Sequence, residues 1–136
     1  MGKLNERMKE IFNNQEVIAL STCSGEGVPN VVPMSAKKIL DDDTILLSDQ
    51  FFGKTLKNLK ENPKASVATW DGLEGYQIKG SVTIETSGPV FEKTVQWIDE
   101  MGKKHGLPLK CKGAVILKIE EIFNVSPGPE AGIKVA

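Results

Sequence analysis

The sequence predicts a mainly β fold, a small antiparallel barrel of about six strands, closed or nearly so, with helices on its flanks. Three observations predict it. Extended apolar segments follow one another through short turns, which suits antiparallel pairing and not the alternating strand-helix units of a parallel sheet. Only a few stretches carry the 3.6-residue spacing of an amphipathic helix. The length of 136 residues, 40% of them apolar, suits one core and leaves no room for a second domain. One domain over residues 1–136 is expected, with its core at about 4–126 and a tail at 127–136.

Leu4, Met8, Ile11 and Phe12 share one helical face, so a helix is expected over about residues 3–14, ended by Asn13-Asn14. Val17–Thr22 reads as a buried strand, and Ser24-Gly25-Glu26-Gly27 as a turn. Pro29–Ala36 is extended but holds Pro29 and Pro33, which cannot donate to a sheet ladder. It is therefore an edge strand, or its pairing breaks near Pro33. A short strand at Lys38–Leu40 and the turn Asp41-Asp42-Asp43 lead into Thr44–Ser48. After the loop Asp49–Gly53 comes a helix with Phe52, Leu56 and Leu59 on one face, stopped at Pro63 because proline bars helical angles from the residue before it. Lys64–Trp70 and Tyr76–Glu85 alternate with period two, with Gly80 as a bulge candidate. Pro89 opens a helix carrying Val90, Phe91, Val95, Ile98 and Met101, since a missing N–H costs nothing at a helix start. Ala114–Ile119 is a further strand, extended through Ile122–Val125, and Ser126–Gly132 is a loop.

Composition excludes several function classes. With 17 basic against 18 acidic residues and a single arginine, Arg7, the chain lacks the basic surplus and bidentate donors of a nucleic-acid binder. Cys23, Cys111 and His105 supply too few soft ligands, at the wrong spacing, for a structural zinc site. His105 reads as a solvated helix-end residue. No apolar run approaches the roughly 20 residues of a spanning helix. The first 16 residues are charged throughout and unlike a secretory signal, so no membrane association and a cytoplasmic location are expected.

Gly53-Lys54-Thr55 resembles the end of a nucleotide-binding loop, but position 48 is Ser where that motif needs glycine. The local physics survives: a lysine and a hydroxyl at a helix start meet free amides and the positive end of the helix dipole, a place for one terminal phosphate. Trp97 lies at the margin of its helical stripe, where contact with a partner subunit is expected.

Taken together, PNVVPMSA, TILLSD, FFGKTLKNLKENPKASV and YQIKGSV resemble the pyridoxamine 5'-phosphate oxidase-like split-barrel family, in length nearest its small FMN-binding proteins. The resemblance implies a homodimer with FMN in clefts at the subunit interface. It implies that Lys54 and Thr55 hold the FMN phosphate, that Pro33, Met34, Ser35 and Ala36 lie along the flavin beside Ser48 and Asp49, and that Gln77 reaches it. Trp97 is the candidate contact from the partner subunit. The expected function is a flavin-dependent oxidoreductase acting on a small redox partner. Non-catalytic FMN storage or electron relay is the alternative. An F420-binding or haem-binding variant is disfavoured by few cations and one histidine. The oxidase reads its substrate with arginines and a histidine near the C-terminus. The ending NVSPGPEAGIKVA has neither, so oxidation of pyridoxamine phosphate itself is not expected.

Overall fold

The computed structural model describes residues 2–136. In chain order the elements are α1 (Glu6–Asn14), β1 (Ile18–Cys23), β2 (Pro29–Met34), β3 (Lys37–Asp41), β4 (Thr44–Asp49), α2 (Lys54–Glu61), β5 (Lys64–Asp71), β6 (Glu74–Glu85), α3 (Pro89–His105) and β7 (Gly113–Asn124). The strands form one antiparallel sheet in the order β2-β1-β5-β6-β7-β4-β3. There are seven strands, not the six of the expected barrel, and each coincides with a segment read as extended in the sequence, the short strand at Lys38–Leu40 being β3. The run after Pro29 bends at Ser35 and Ala36 and sends β2 to β1 and β3 to β4.

That bend dictates the shape. β2 and β3 are consecutive in the chain yet occupy opposite edges of the sheet. A flat sheet of seven strands would hold its edges about 29 Å apart at the usual strand spacing. The step from Met34 to Lys37 spans at most about 11 Å of extended chain. The sheet therefore rolls into a half-barrel whose edges approach one another where the chain crosses between them. Pro33 sits opposite Ala19 on the edge strand, where its missing N–H leaves little unpaired. The amide of Ser48 donates to the carbonyl of Ala36 (3.1 Å), fastening the far side of the crossing.

The interior is filled from alternate strand positions, including Leu20, Ile45, Leu47, Val67, Ile78, Val115 and Leu117, all fully buried. Met8 and Phe12 of α1 plug this core together with Leu4. The α1 helix begins two residues later than Leu4 because the Asn5 side chain caps it, accepting from the Met8 amide at 2.9 Å. Lys37 donates its ammonium to the Phe12 carbonyl and lies over the Phe12 ring, and burial holds its pKa below the usual lysine range. A second, smaller cluster joins Ala36, Ile98 and Cys111 to Phe91, Val95, Trp97, Met101 and Leu109.

The tail is not a free loop. Lys134 bridges to Phe123, and the Val135 amide donates to the Ile122 carbonyl (2.8 Å), so the last residues run back along β7. Among the described residues no helix is long and apolar enough to cross a membrane.

Gly80 lies at the register shift between β6 and β7, as a bulge should. A Cβ there would stand 2.0 Å from the Lys118 carbonyl oxygen. Gly80→Ala is expected to destabilise the fold by roughly 3 kcal/mol, because backbone must move to admit the methyl group. Urea unfolding checks this through a lowered midpoint, and an unchanged midpoint would contradict the packing described.

Candidate functional site

A cavity of about 750 Å³ opens where the chain crosses between the sheet edges. That volume lies within the range of about 300–1,000 Å³ that small-molecule sites occupy. Three groups of residues build it.

The first is the crossing itself. Asn30, Val32, Pro33, Met34, Ser35 and Ala36 line one wall. Asn30, Val32 and Met34 share a face because strand side chains alternate, and their burial alternates likewise. The second group is the β4–α2 connection, comprising Ser48, Gln50, Phe51, Phe52, Gly53, Lys54 and Thr55. Asp49 shapes this connection without lining the cavity: it is buried, its Oδ1 accepts from the Phe52 amide (3.0 Å), and its carbonyl accepts from the Lys112 amide (2.7 Å). The third group is the α3–β7 connection, where Met101, His105, Leu107 and Leu109 form the opposite wall. Met101 and His105 are one turn apart. Gly106 then ends the helix at φ 65°, a left-handed conformation that glycine adopts without strain. The Leu107 amide donates back to the Gly102 carbonyl (2.8 Å), and a Cβ at Gly102 would meet the Leu107 oxygen at 2.6 Å, so the wall depends on glycine there too.

The polar chemistry is uneven. Ser48 Oγ and Gln50 Oε1 are buried and have no hydrogen-bond partner among the described residues. Buried polar atoms are nearly always paired, so two orphans among the residues that line one cavity set that lining apart. At another part of the lining, α2 begins at Gly53 with no side-chain cap. Its first amides are therefore open to an acceptor, with the positive end of the helix dipole behind them. Lys54 is exposed at this point and forms no ion pair among the described residues. Thr55 is buried, and its Oγ1 accepts from Asn30 Nδ2 (3.0 Å). Thr22 Oγ1 accepts from both Asn30 Nδ2 (3.2 Å) and Asn58 Nδ2 (3.1 Å), which ties the start of α2 to β1 and β2.

Of the residues expected at the site, Pro33, Met34, Ser35, Ala36, Ser48, Lys54 and Thr55 meet around one cavity. Asp49 stands behind it. Gln77 does not line it: the residue is half-buried in the middle of the sheet, between Ala68 and Phe123. Trp97 does not line it within this chain either; its ring carries the Lys38 ammonium at 4.5 Å and packs with the smaller cluster. Sequence reasoning missed Asn30 and Val32, although the period-two pattern through Met34 marks them. It read His105 as a helix-end residue. The imidazole is indeed exposed there, and it also borders the cavity. Among the described residues no group of His, Cys, Asp and Glu is gathered to hold a metal ion.

A family model described as pyridoxamine 5'-phosphate oxidase matches residues 4–126. The chain belongs to the pyridoxamine 5'-phosphate oxidase-like family. An uncharacterized protein of Methanocaldococcus jannaschii is 40% identical, over 98% of this chain and 89% of its own length. Among solved members of the fold, HupZ of Group A Streptococcus superposes with a TM-score of 0.79 at 29% identity, covering 95% of this chain and 99% of its own. An FMN-binding protein of Syntrophomonas wolfei gives 0.75 at 23%, covering 88% and 84%. An F420 reductase and the heme storage protein HutZ of Vibrio cholerae share the fold at lower identity, 15% and 17%.

Thr22→Val keeps the shape of the side chain but leaves the buried Asn58 amide without its acceptor and takes one of two acceptors from Asn30. A loss of about 1–3 kcal/mol in stability is expected, measured by urea unfolding. No loss would show that the network does not anchor α2.

Proposed function

We propose that this chain binds FMN in the cavity and works as a flavin-dependent oxidoreductase on a small redox partner. One observation carries the reading: Ser48 and Gln50, whose side-chain oxygens are buried and unpaired among the described residues, line the same cavity as an uncapped helix start bearing Lys54. A ligand suited to that cavity has a dianionic end and a flat, polar-edged body, and FMN has both. The Lys54 ammonium and the first amides of α2 hold the phosphate. Thr55, fixed by Asn30, sets the position of that turn. Pro33, Met34, Ser35 and Ala36 lie along the ring, and Ser48 and Gln50 meet its polar edge. Met101, Leu107 and Leu109 keep water from the opposite side.

Bound FMN supplies the electron or hydride transfer. The residues here position it, and the His105 imidazole at the rim is the group that can hold a proton beside it. Pyridoxamine phosphate is not the proposed substrate. The tail lacks arginine and histidine, and it borders a different pocket, with Tyr76 and Glu74, that shares no lining residue with the cavity. The second partner of the cleft is another copy of the chain. Phe51 is 79% exposed and Leu107 55% exposed at the cavity's border, an apolar rim that a dimer would cover.

Lys54→Ala is expected to weaken FMN binding by about 1–3 kcal/mol, the loss of a charge-assisted contact, as read by fluorescence titration. Unchanged affinity would contradict the phosphate placement. Bleaching of the flavin by NADH or NADPH and its recovery with an acceptor supports the enzyme, whereas binding without turnover supports storage or relay. Light scattering is expected to give twice the chain mass of 14.8 kDa. A monomer that retains FMN would contradict the shared cleft.

A further inference from the structure

We propose that the cofactor site continues past the phosphate into a second groove, which accommodates the adenylate half of a flavin dinucleotide. This inference rests on the proposal that the main cavity binds FMN. The groove, about 320 Å³, shares Asn30 and Lys54 with the main cavity and extends along α2 to the β1–β2 turn. The two spaces therefore meet at the residues that hold the phosphate. Gly53, beside Lys54, stands in open space, where a Cβ would meet no atom within 4 Å. A phosphate held there keeps one oxygen directed outward, and in a dinucleotide that oxygen carries the next phosphate.

The groove's own side chains select the next part of the ligand. Lys57 lies one turn along α2 from Lys54, a second cation where a second phosphate would stand. Farther along are Glu26 and Glu61, and neither they nor Lys57 form an ion pair among the described residues. The two carboxylates accept hydrogen bonds from ribose hydroxyls or an exocyclic amine, and they repel a tail that is itself a chain of carboxylates. A cation followed by acceptors suits a pyrophosphate followed by a nucleoside. It does not suit an acidic polypeptide-like extension. Val28, 59% exposed on the turn, forms the outer wall and can be enlarged without disturbing the core.

Isothermal titration of the full chain with FMN and with FAD tests the groove, using the wild type, Val28→Trp and Lys57→Gln. The wild type is expected to bind FAD within tenfold of FMN. Each variant is expected to lose FAD affinity at least tenfold and FMN affinity less than threefold, the retained FMN affinity also showing that the variant is folded. FAD binding more than tenfold weaker than FMN in the wild type would overturn the groove and leave the FMN reading standing. FAD binding insensitive to both substitutions would do the same. Failure to bind either flavin would overturn both readings.

Discussion

The structure depends on one constraint: the chain crosses between the two edges of its sheet in the step from Met34 to Lys37. Because β2 and β3 sit at opposite edges, the sheet must curl until those edges nearly meet. The curl creates an interior that Met8 and Phe12 fill from one end. It also leaves a seam, since the crossing residues belong to neither ladder along their whole length. A cavity at that seam is a consequence of closure. Its polar backbone groups are available because strand pairing does not consume all of them.

Two further connections complete the walls of the cavity at this seam. Asp49 shapes the loop after β4 through the Phe52 amide and grips Lys112 at the start of the last strand's approach. The pairing of β4 with β7, which sets Asp49 opposite Gly113, brings the α3–β7 connection against the α2 start. The uncapped start of α2 and an apolar wall are thus brought together from segments distant in sequence. The orphaned Ser48 and Gln50 atoms are the cost of this arrangement. A buried polar group left unpaired costs about 1–3 kcal/mol, so a ligand that pairs both returns that energy as affinity.

Much of this was legible from local chemistry. Pro33 marked the edge strand, Gly80 the bulge, Pro63 and Pro89 the helix limits, and Gly53-Lys54-Thr55 the start of α2, because each is a statement about backbone geometry within a few residues. The place of β3 in the sheet was less legible. Lys37–Asp41 continues the extended run from Pro29, and only long-range pairing tells which edge it joins. His105, Leu107 and Leu109 were missed as cavity residues for the same reason: their apposition to Lys54 depends on the β4–β7 register. Gln77 was assigned by resemblance across a gap; the register sets it between Ala68 and Phe123, away from the cavity within this chain. The orphaned Gln50 oxygen leaves no trace in sequence, since satisfaction of a side chain is a property of its folded surroundings.

Belonging to the pyridoxamine 5'-phosphate oxidase-like family does not by itself choose a cofactor. The choice of FMN rests on one lysine beside the open amides of α2 and two unpaired oxygens across the same cavity. A crystal structure of the chain grown with FMN tests this most directly. The phosphate is expected within hydrogen-bond reach of the Lys54 ammonium and the first α2 amides, with ring atoms bonded to Ser48 Oγ or Gln50 Oε1. An FMN seated elsewhere, with those two atoms still unpartnered, would contradict the account.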